Sequence, residues 1–187
     1  PKKIFSLSNK AIEFIEKQKE LGKPFYLQVS HYAVHTNIVS KEKTFKKYQD
    51  KKKSLVTDNP GFAAMNENLD EGIGMILNKI EELNLSNNTY IIYTSDNGSV
   101  PTIPARKFYK KSINYPLSRG KWDAMEGGIR VPFIVSGPGI EASESKVPVV
   151  GYDLLPTIID LANPKFIPTE NIDGGSFKKI LFSKGKG

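Results

Sequence analysis

The sequence predicts an α/β fold in which helices cover a largely parallel sheet, and three observations support this prediction. Segments with helical periodicity alternate with short β-branched and aromatic runs along the chain, the pattern of sheets built from strand and helix units. These apolar runs stop at polar residues and glycines. The 187 residues are 39% hydrophobic, which is enough for one sizeable core.

The first helix and the first strand are predicted near the start of the chain. Ser8 is a favourable N-cap residue and Gly22 a favourable terminator, so we expect a helix over Asn9–Leu21. The run Phe25–Ser30 is rich in aromatic and branched residues and is predicted to form a strand. The chain's two histidines follow the end of this strand.

A longer helix and a second strand are predicted in the middle of the chain. Asn59 followed by Pro60 is a strong helix start, with a cap residue and a proline at the first helical position. Apolar residues then recur at spacings of three and four, as in an amphipathic helix. They are Phe62, Met65, Leu69, Ile73, Ile76, Ile80 and Leu83. The strand Thr89–Thr94 follows and ends just before Asp96 and Asn97.

The last third of the chain begins with a long connection. Residues 98–124 have no convincing periodicity, and connections of this length inside a domain are usually functional or mobile. Strands are then predicted over Val131–Ser136 and Val147–Val150, and a helix over Tyr152–Leu161. This order of helices and strands favours an α/β sandwich.

The chain is basic, with 27 lysines and arginines against 20 acidic residues and a net charge of +7. Seven lysines fall within Lys41–Lys53. A nucleic-acid site is one interpretation, but we favour a solvated surface because arginine dominates base readout and no nucleic-acid motif is present. A polyanionic substrate would also suit this charge. No cysteine is present, so the composition does not indicate whether the protein is in an oxidising or a reducing compartment.

Polar side chains lie next to each of the three main predicted strands. His31 and His35 follow the first strand, Asp96 and Asn97 follow the second, and a glycine-rich segment containing Lys121 precedes the third. The carboxyl ends of neighbouring parallel strands meet at one edge of a sheet, where ligands bind. We therefore expect these groups to converge if the strands are parallel neighbours.

The chemistry of these residues suits substitution at an anionic tetrahedral centre. Asp96 and Asn97 offer oxygen donors for a hard cation such as Ca²⁺ or Mg²⁺, although Asp-Asn-Gly is also a good turn. Lys121 would neutralise the transferred group, with an exposed surface lysine as the alternative. Glu126 and Arg130 are expected to support the loop rather than touch substrate, with Arg130 paired either to Glu126 or to another carboxylate near the site.

Several segments resemble the sulfatase family of the alkaline-phosphatase-like superfamily, and they occur along the chain in the same order as in that family. The most specific of them are residues 90–98, 120–121 and 126–132. Others that resemble the family are residues 24–36, 63–83, 153–162 and 172–176. The resemblance covers nearly the whole chain and implies an alkaline-phosphatase-like α/β/α sandwich.

The resemblance also implies roles for individual residues. Asp96 and Asn97 match two of the four protein ligands of one divalent cation, usually Ca²⁺, with Mg²⁺ also possible. His35 matches the histidine that contacts the sulfate and assists proton transfer, and Lys121 matches the lysine that binds the sulfate and leaving-group oxygens. His31 falls at a variable position, where we expect a hydrogen-bonded structural histidine or a substrate contact.

The sequence departs from the family pattern in three ways. Val34 and Asn37 stand where the family commonly has prolines around His35. The paired aspartates that complete the metal site are absent, as is the Cys/Ser-x-Pro-x-Arg segment that supplies the formylglycine nucleophile. The smaller C-terminal subdomain is absent too. Residues 1–187 are therefore expected to be a partial sulfatase catalytic domain, without a nucleophile and inactive alone.

The expected partner is a sulfated small molecule or a sulfated glycan, with no nucleic acid. A phosphomonoester or phosphonate hydrolase of the same superfamily is one alternative. A non-catalytic module that binds sulfated glycans is another. No signal peptide is visible and no apolar run is long enough to span a membrane. A periplasmic or secreted location in a bacterium is implied by the family alone.

Overall fold

The computed structural model describes residues 1–52, 59–101, 113–167 and 170–186. These residues form two compact units, each described here by itself. The first unit contains Pro1–Ser86 and Tyr93–Phe133, and the second contains Asn87–Ile92 and Ile134–Gly187. Within the described residues, no helix is both long and apolar enough to cross a membrane.

Helices dominate the secondary structure, and two short strands form a sheet. The helices are α1 (Ile4–Glu20), α2 (Glu42–Gln49), α3 (Pro60–Glu82), α4 (Glu126–Ile129), α5 (Leu154–Ala162) and α6 (Lys178–Phe182). The strands are β1 (Ile91–Thr94) and β2 (Phe133–Ser136), which are hydrogen-bonded neighbours. Short 3₁₀ turns at Ser86–Asn88 and Gly151–Asp153 precede β1 and α5.

The long helix α3 is the centre of the first unit and begins as predicted. The Asn59 side chain accepts a hydrogen bond from the Phe62 amide at 3.0 Å, and Pro60 occupies the first turn. Both α1 and α2 pack against α3. The core between these helices consists of Ile4, Ala11, Ile15, Ala64, Met65 and Ile80.

The predicted start of α1 at Ser8 is wrong, because the helix already begins at Ile4. Ser8 lies inside the helix and is fully buried. It lies close to Gly72 of α3, since a Cβ atom built on that glycine would be 2.9 Å from the Ser8 hydroxyl. Tertiary packing thus overrides the N-cap preference of serine. The end of the helix before Gly22 is confirmed.

Helix α2 was not predicted, since its sequence resembled a solvated lysine cluster. Buried Asn68 of α3 fixes its start, accepting a hydrogen bond from the Lys41 amide at 2.8 Å and donating one to the Thr44 hydroxyl at 3.0 Å. Ion pairs at 2.7 Å join Lys41 to Glu71 and Lys47 to Glu67, two carboxylates of α3. Some of the clustered lysines therefore bind α2 to α3. Residue 53 of the cluster lies outside the described residues.

Two predicted strands are not observed. Residues 25–30 and 147–150 form no hydrogen-bonded ladder with any described residue. Along residues 25–30 the side chains alternate between half-buried and exposed, as in a strand, but the pairing partner that defines a strand is missing from the described part of the chain. The remaining strand predictions are confirmed at slightly shorter lengths as β1 and β2.

The second unit is organised around α5. The fully buried Thr157 hydroxyl donates to the Asp153 carbonyl at 2.7 Å and accepts from the Phe177 amide at 3.0 Å. Near the end of α5, Asp160 accepts a hydrogen bond from the Ser176 hydroxyl at 2.8 Å and pairs with Lys178 at 3.1 Å. These contacts fasten the segment before α6 onto α5. The sequence did not indicate α6, a helix of five residues.

Candidate functional site

Strand β1 delivers two oxygen-bearing side chains at its carboxyl end. Asp96 is exposed and Asn97 is half-buried, two and three residues beyond Thr94. The Asn97 amide nitrogen donates to Asp96 Oδ1 at 3.0 Å, so the two side chains lie side by side. The Ser95 hydroxyl donates to the Asn97 carbonyl at 3.0 Å and stabilises the turn. The adjacency expected from the sequence is thus present in the structure.

The segment after Asn97 is hydrogen-bonded to the glycine-rich loop that carries Lys121. The Gly98 amide donates to the Gly128 carbonyl at 2.8 Å, and the Ser99 carbonyl accepts from the Lys121 amide at 3.0 Å. A Cβ atom on Gly98 would lie 1.8 Å from the Gly127 carbonyl oxygen, far inside contact distance. Only glycine therefore permits this approach. These bonds join the backbone after the Asp96–Asn97 turn to the backbone of the loop that carries Lys121.

Glycines also fix the loop that holds Lys121. Gly120 is buried, and a Cβ atom on it would lie 2.3 Å from the Ser99 carbonyl oxygen. The Gly127 amide donates to the Ser118 carbonyl at 2.7 Å and closes the loop. Lys121 itself is half-buried. A cation on backbone fastened in this way can bind an anionic group with little reorganisation.

Asn114 is a further supporting residue that the sequence did not indicate. Its side-chain nitrogen donates to the carbonyls of Ser99 at 2.8 Å and Arg119 at 2.9 Å. It therefore bridges the two segments of the site from a part of the loop without periodicity. Contacts of this kind depend on the tertiary fold, so no local pattern reveals them.

Glu126 and Arg130 form the ion pair that the sequence suggested, at 3.2 Å along α4. Both side chains are more than half exposed, and surface pairs of this kind contribute about 0–1 kcal/mol. Among the described contacts, neither side chain reaches Asp96 or Lys121. The described pair stabilises the turn into β2, and its proposed role in supporting the site stays a prediction.

His35 is exposed on a loop that Lys2 holds from the start of the chain. The Lys2 ammonium donates to the carbonyls of His35 and Thr36, and to that of Asn37 at 3.3 Å. The His35 amide donates to the Tyr32 carbonyl at 3.1 Å. Within the described residues no hydrogen bond or ion pair links His35 to Asp96 or Lys121. The structure therefore brings two of the three candidate groups together and leaves the third on a separate loop.

His31 differs from its expected structural role. Both ring nitrogens are buried, and neither has a hydrogen-bond partner among the described residues. Burial lowers the pKa of the imidazole, because a charged ring would lose hydration without gaining a partner. The prediction of a hydrogen-bonded structural histidine is therefore wrong for the described contacts. Its other predicted role, a contact to substrate, stays a prediction.

The side-chain oxygens of Asp96 and Asn97 are of the type that a hard cation binds. Asp96 provides a carboxylate and Asn97 a side-chain carbonyl, and both are ligand types of Ca²⁺ and Mg²⁺. The described residues contain no cluster of three or more histidine, cysteine, aspartate or glutamate side chains that could hold a metal. The pair therefore offers two side-chain donors, whereas Ca²⁺ takes six to eight oxygens.

The sequence of this chain is similar to one family model and to several named proteins. The sequence model of the family named Sulfatase matches residues 5–164. Steryl-sulfatase of Homo sapiens is 31% identical over 183 residues, covering 96% of this chain and 30% of that protein. The Drosophila melanogaster protein named extracellular sulfatase SULF-1 homolog is 34% identical over 122 residues, covering 64% of this chain and 10% of that protein.

A solved structure is similar over nearly the same region. The crystal structure of Ps i-CgsB in complex with k-i-k-neocarrahexaose has a TM-score of 0.80 and 28% sequence identity, and the match covers 95% of this chain and 38% of that one. The chain thus spans well under half the length of each of these three proteins.

Proposed function

Because the chain belongs to the sulfatase family, we propose that it forms part of the catalytic domain of a sulfuric ester hydrolase. One observation carries the proposal. The Asp96–Asn97 turn and the Lys121 loop are joined by backbone hydrogen bonds from Gly98 to Gly128 and from Lys121 to Ser99. Two hard oxygen donors for a cation, on backbone joined to the loop of a half-buried lysine, suit the binding of a sulfate group.

Each residue has a distinct part in the proposed reaction. Lys121 binds the sulfate and leaving-group oxygens and neutralises charge that develops as the ester bond breaks. His35 contacts the sulfate and transfers a proton at the ester oxygen. Asp96 and Asn97 ligate a divalent cation, Ca²⁺ or alternatively Mg²⁺, which when bound polarises the sulfate oxygens. Glu126 and Arg130 orient the loop.

The proposal extends to a longer polypeptide. We infer that residues 1–187 are a partial domain, and that other segments carry the formylglycine nucleophile, the remaining metal ligands and a C-terminal subdomain. The low coverage of the relatives supports this inference. The complete domain is proposed to contain the largely parallel sheet of an alkaline-phosphatase-like α/β/α sandwich, of which β1 and β2 are two strands.

The proposed substrate is a sulfated small molecule or a sulfated glycan, and the proposed location is the periplasm or the cell exterior. Two similar proteins support the range of substrates, since one is named a steryl-sulfatase and the other was crystallised with a neocarrahexaose. A third, named an extracellular sulfatase, supports the location.

Hydrolysis of nitrophenyl sulfate and nitrophenyl phosphate by a polypeptide that contains this chain and the nucleophile segment tests the function. We expect faster turnover of the sulfate. Lys121→Ala and His35→Ala are each expected to lower kcat/KM about 10²- to 10⁴-fold, the range for lost proton transfer or charge stabilisation. Lys146→Ala, an exposed lysine in the second unit, is the matched control.

The alternatives give different outcomes. A preference for the phosphate ester would favour a phosphomonoester or phosphonate hydrolase. Binding of a sulfated glycan without turnover by the longer polypeptide would favour a non-catalytic module. Unchanged kcat/KM in Lys121→Ala would contradict the assigned role of that lysine.

A further inference from the structure

Trp122 combines exposure with an unusual backbone conformation. It is the only tryptophan of the chain, and 83% of its surface is exposed. Its φ angle is +75°, in the left-handed region that bulky residues rarely adopt. A single exposed apolar residue is ordinary. Exposure of a large ring together with backbone strain is characteristic of functional sites instead.

Hydrogen bonds and an ion pair of Asp123 stabilise the loop around Trp122. The Asp123 amide donates to the Gly120 carbonyl at 3.1 Å, and Asp123 Oδ1 accepts from the Met125 amide at 2.9 Å. The other carboxylate oxygen pairs with Arg119 at 3.1 Å. Asp123 therefore braces the turn on which Trp122 stands. The positive φ of Trp122 thus occurs within a hydrogen-bonded turn.

Trp122 follows Lys121 directly in the sequence, and this position suggests a function for its exposed ring. The Cα atoms of consecutive residues are about 3.8 Å apart, and Lys121 is the residue to which we assign the sulfate. The exposed ring and the ammonium group are therefore carried by neighbouring positions of the same loop. Aromatic side chains commonly line ligand sites, and tryptophan loses little conformational entropy on binding.

We propose that Trp122 is a stacking platform for a pyranose ring of a sulfated glycan, and that it determines specificity next to Lys121. The ring stands largely in solvent, where its flat apolar face is accessible to a sugar ring. The net charge of +7 attracts a multiply sulfated chain. The inference rests on the proposed function, because it takes its direction from the sulfate site at Lys121.

The intrinsic fluorescence of the 187-residue chain tests this proposal, because Trp122 is its only tryptophan. Titration with a sulfated carrageenan hexasaccharide is expected to quench the emission and shift it to shorter wavelength. Calorimetry is expected to show about tenfold weaker binding for Trp122→Ala and a smaller loss for Trp122→Phe. Tyr152→Ala removes an aromatic side chain that is 62% exposed in the other unit and is the matched control.

The desulfated hexasaccharide separates this proposal from the assignment of Lys121. Trp122→Ala should weaken binding of both saccharides, whereas Lys121→Ala should weaken only that of the sulfated one. Stacking at Trp122 with no effect of Lys121→Ala would contradict the proposed sulfate site and leave the platform standing. Three results would overturn the platform: an emission of buried indole before ligand is added, no measurable saccharide binding, or equal affinities for wild type and Trp122→Ala.

Discussion

At the scale of single residues, Asp153 connects the turn before α5 to the loop at Gly174 and Gly175 in the second unit. Its two carboxylate oxygens each accept a backbone hydrogen bond at 2.9 Å, one from Gly175 and one from Val150. The bonds from Gly175 and then Val150 lower the pKa of this carboxyl group, since both stabilise the charged form. A Cβ atom on Gly174 would lie 2.8 Å from Asp153 Oδ1, so the glycine allows the loop to approach.

The lowered pKa of Asp153 predicts acid sensitivity of the second unit. A carboxyl group whose pKa is lower in the folded than in the unfolded state stabilises the fold above the unfolded value of about 4. That contribution is lost as the pH falls through the folded pKa. We expect hydrogen exchange at the Gly175 and Val150 amides to accelerate, relative to intrinsic rates, below about pH 4.

Two variants check this assignment. Asp153→Asn should weaken protection of the Gly175 amide at neutral pH and flatten its dependence on pH. Asp173→Asn removes one negative charge from an exposed neighbouring residue and is the matched control. Unchanged protection in Asp153→Asn would show that the two backbone bonds contribute nothing to the stability of this loop.

The residues of the candidate site differ in how far the sequence predicts them. Asp96 and Asn97 could be predicted, because a β-branched run followed by polar residues and glycine marks a strand end whatever the rest of the fold does. Lys121 needed the family resemblance, since an isolated lysine resembles any surface lysine. Lys2 and Asn114 could not be predicted, because their partners are 33 to 35 and 5 to 15 residues away.

At the scale of elements, the packing of α1 on α3 depends on Gly72, one of three glycines in α3. A Cβ atom on Gly72 would lie 2.6 Å from Ile4 Cγ2 and 2.9 Å from the Ser8 hydroxyl. A Cβ atom on Gly74 would meet nothing within 4 Å. The two glycines therefore share a helix and an intrinsic propensity but differ in their tertiary surroundings.

We expect opposite effects of alanine at these two positions. Gly74→Ala should stabilise the first unit by about 0.5–1 kcal/mol, because alanine is the better helix former. Gly72→Ala gains the same propensity but forces α1 away from α3, and overpacking of this kind typically costs about 1–3 kcal/mol. Urea unfolding followed by hydrogen exchange of α3 amides measures both changes. A stabilising Gly72→Ala would contradict the close helix contact.

The helices also show why some elements were predicted and others were not. The apolar stripe of α3 has the period of a helix over 23 residues, so local pattern and tertiary packing agree. Helix α2 has eight residues and few apolar ones, and it depends on contacts from Asn68, Glu67 and Glu71 of α3. A short helix held by a partner helix has little signal of its own.

At the scale of the whole molecule, a mixture of helices and strands was predictable from their order in the sequence, and the described residues contain six α-helices and one two-stranded sheet. The pairing of strands was less predictable. Residues 25–30 have strand-like alternation but no ladder partner among the described residues. A strand is defined by its neighbour, so its existence depends on parts of the chain that its own sequence does not specify.

The remaining metal ligands are proposed to lie on other segments, so we expect weak metal binding by the 187-residue chain. Asp96 and Asn97 provide two side-chain donors, and water must fill the other positions around Ca²⁺, which takes six to eight oxygens. Calorimetric titration with Ca²⁺ should therefore give a dissociation constant of about 1 mM or weaker, the upper limit for calcium-binding modules. Asp96→Ala should abolish the residual heat, and Asp173→Ala, an exposed carboxylate in the other unit, should leave it unchanged.

A longer polypeptide that contains the further aspartates we propose as metal ligands should bind Ca²⁺ at least about 100-fold more tightly, because charged ligands raise affinity steeply in calcium sites. The two measurements together locate the metal site. Stoichiometric micromolar binding by the 187-residue chain would mean that its own residues complete the site, and the proposed division of ligands between segments would be wrong. Weak binding by both proteins would remove Asp96 and Asn97 from the metal site altogether.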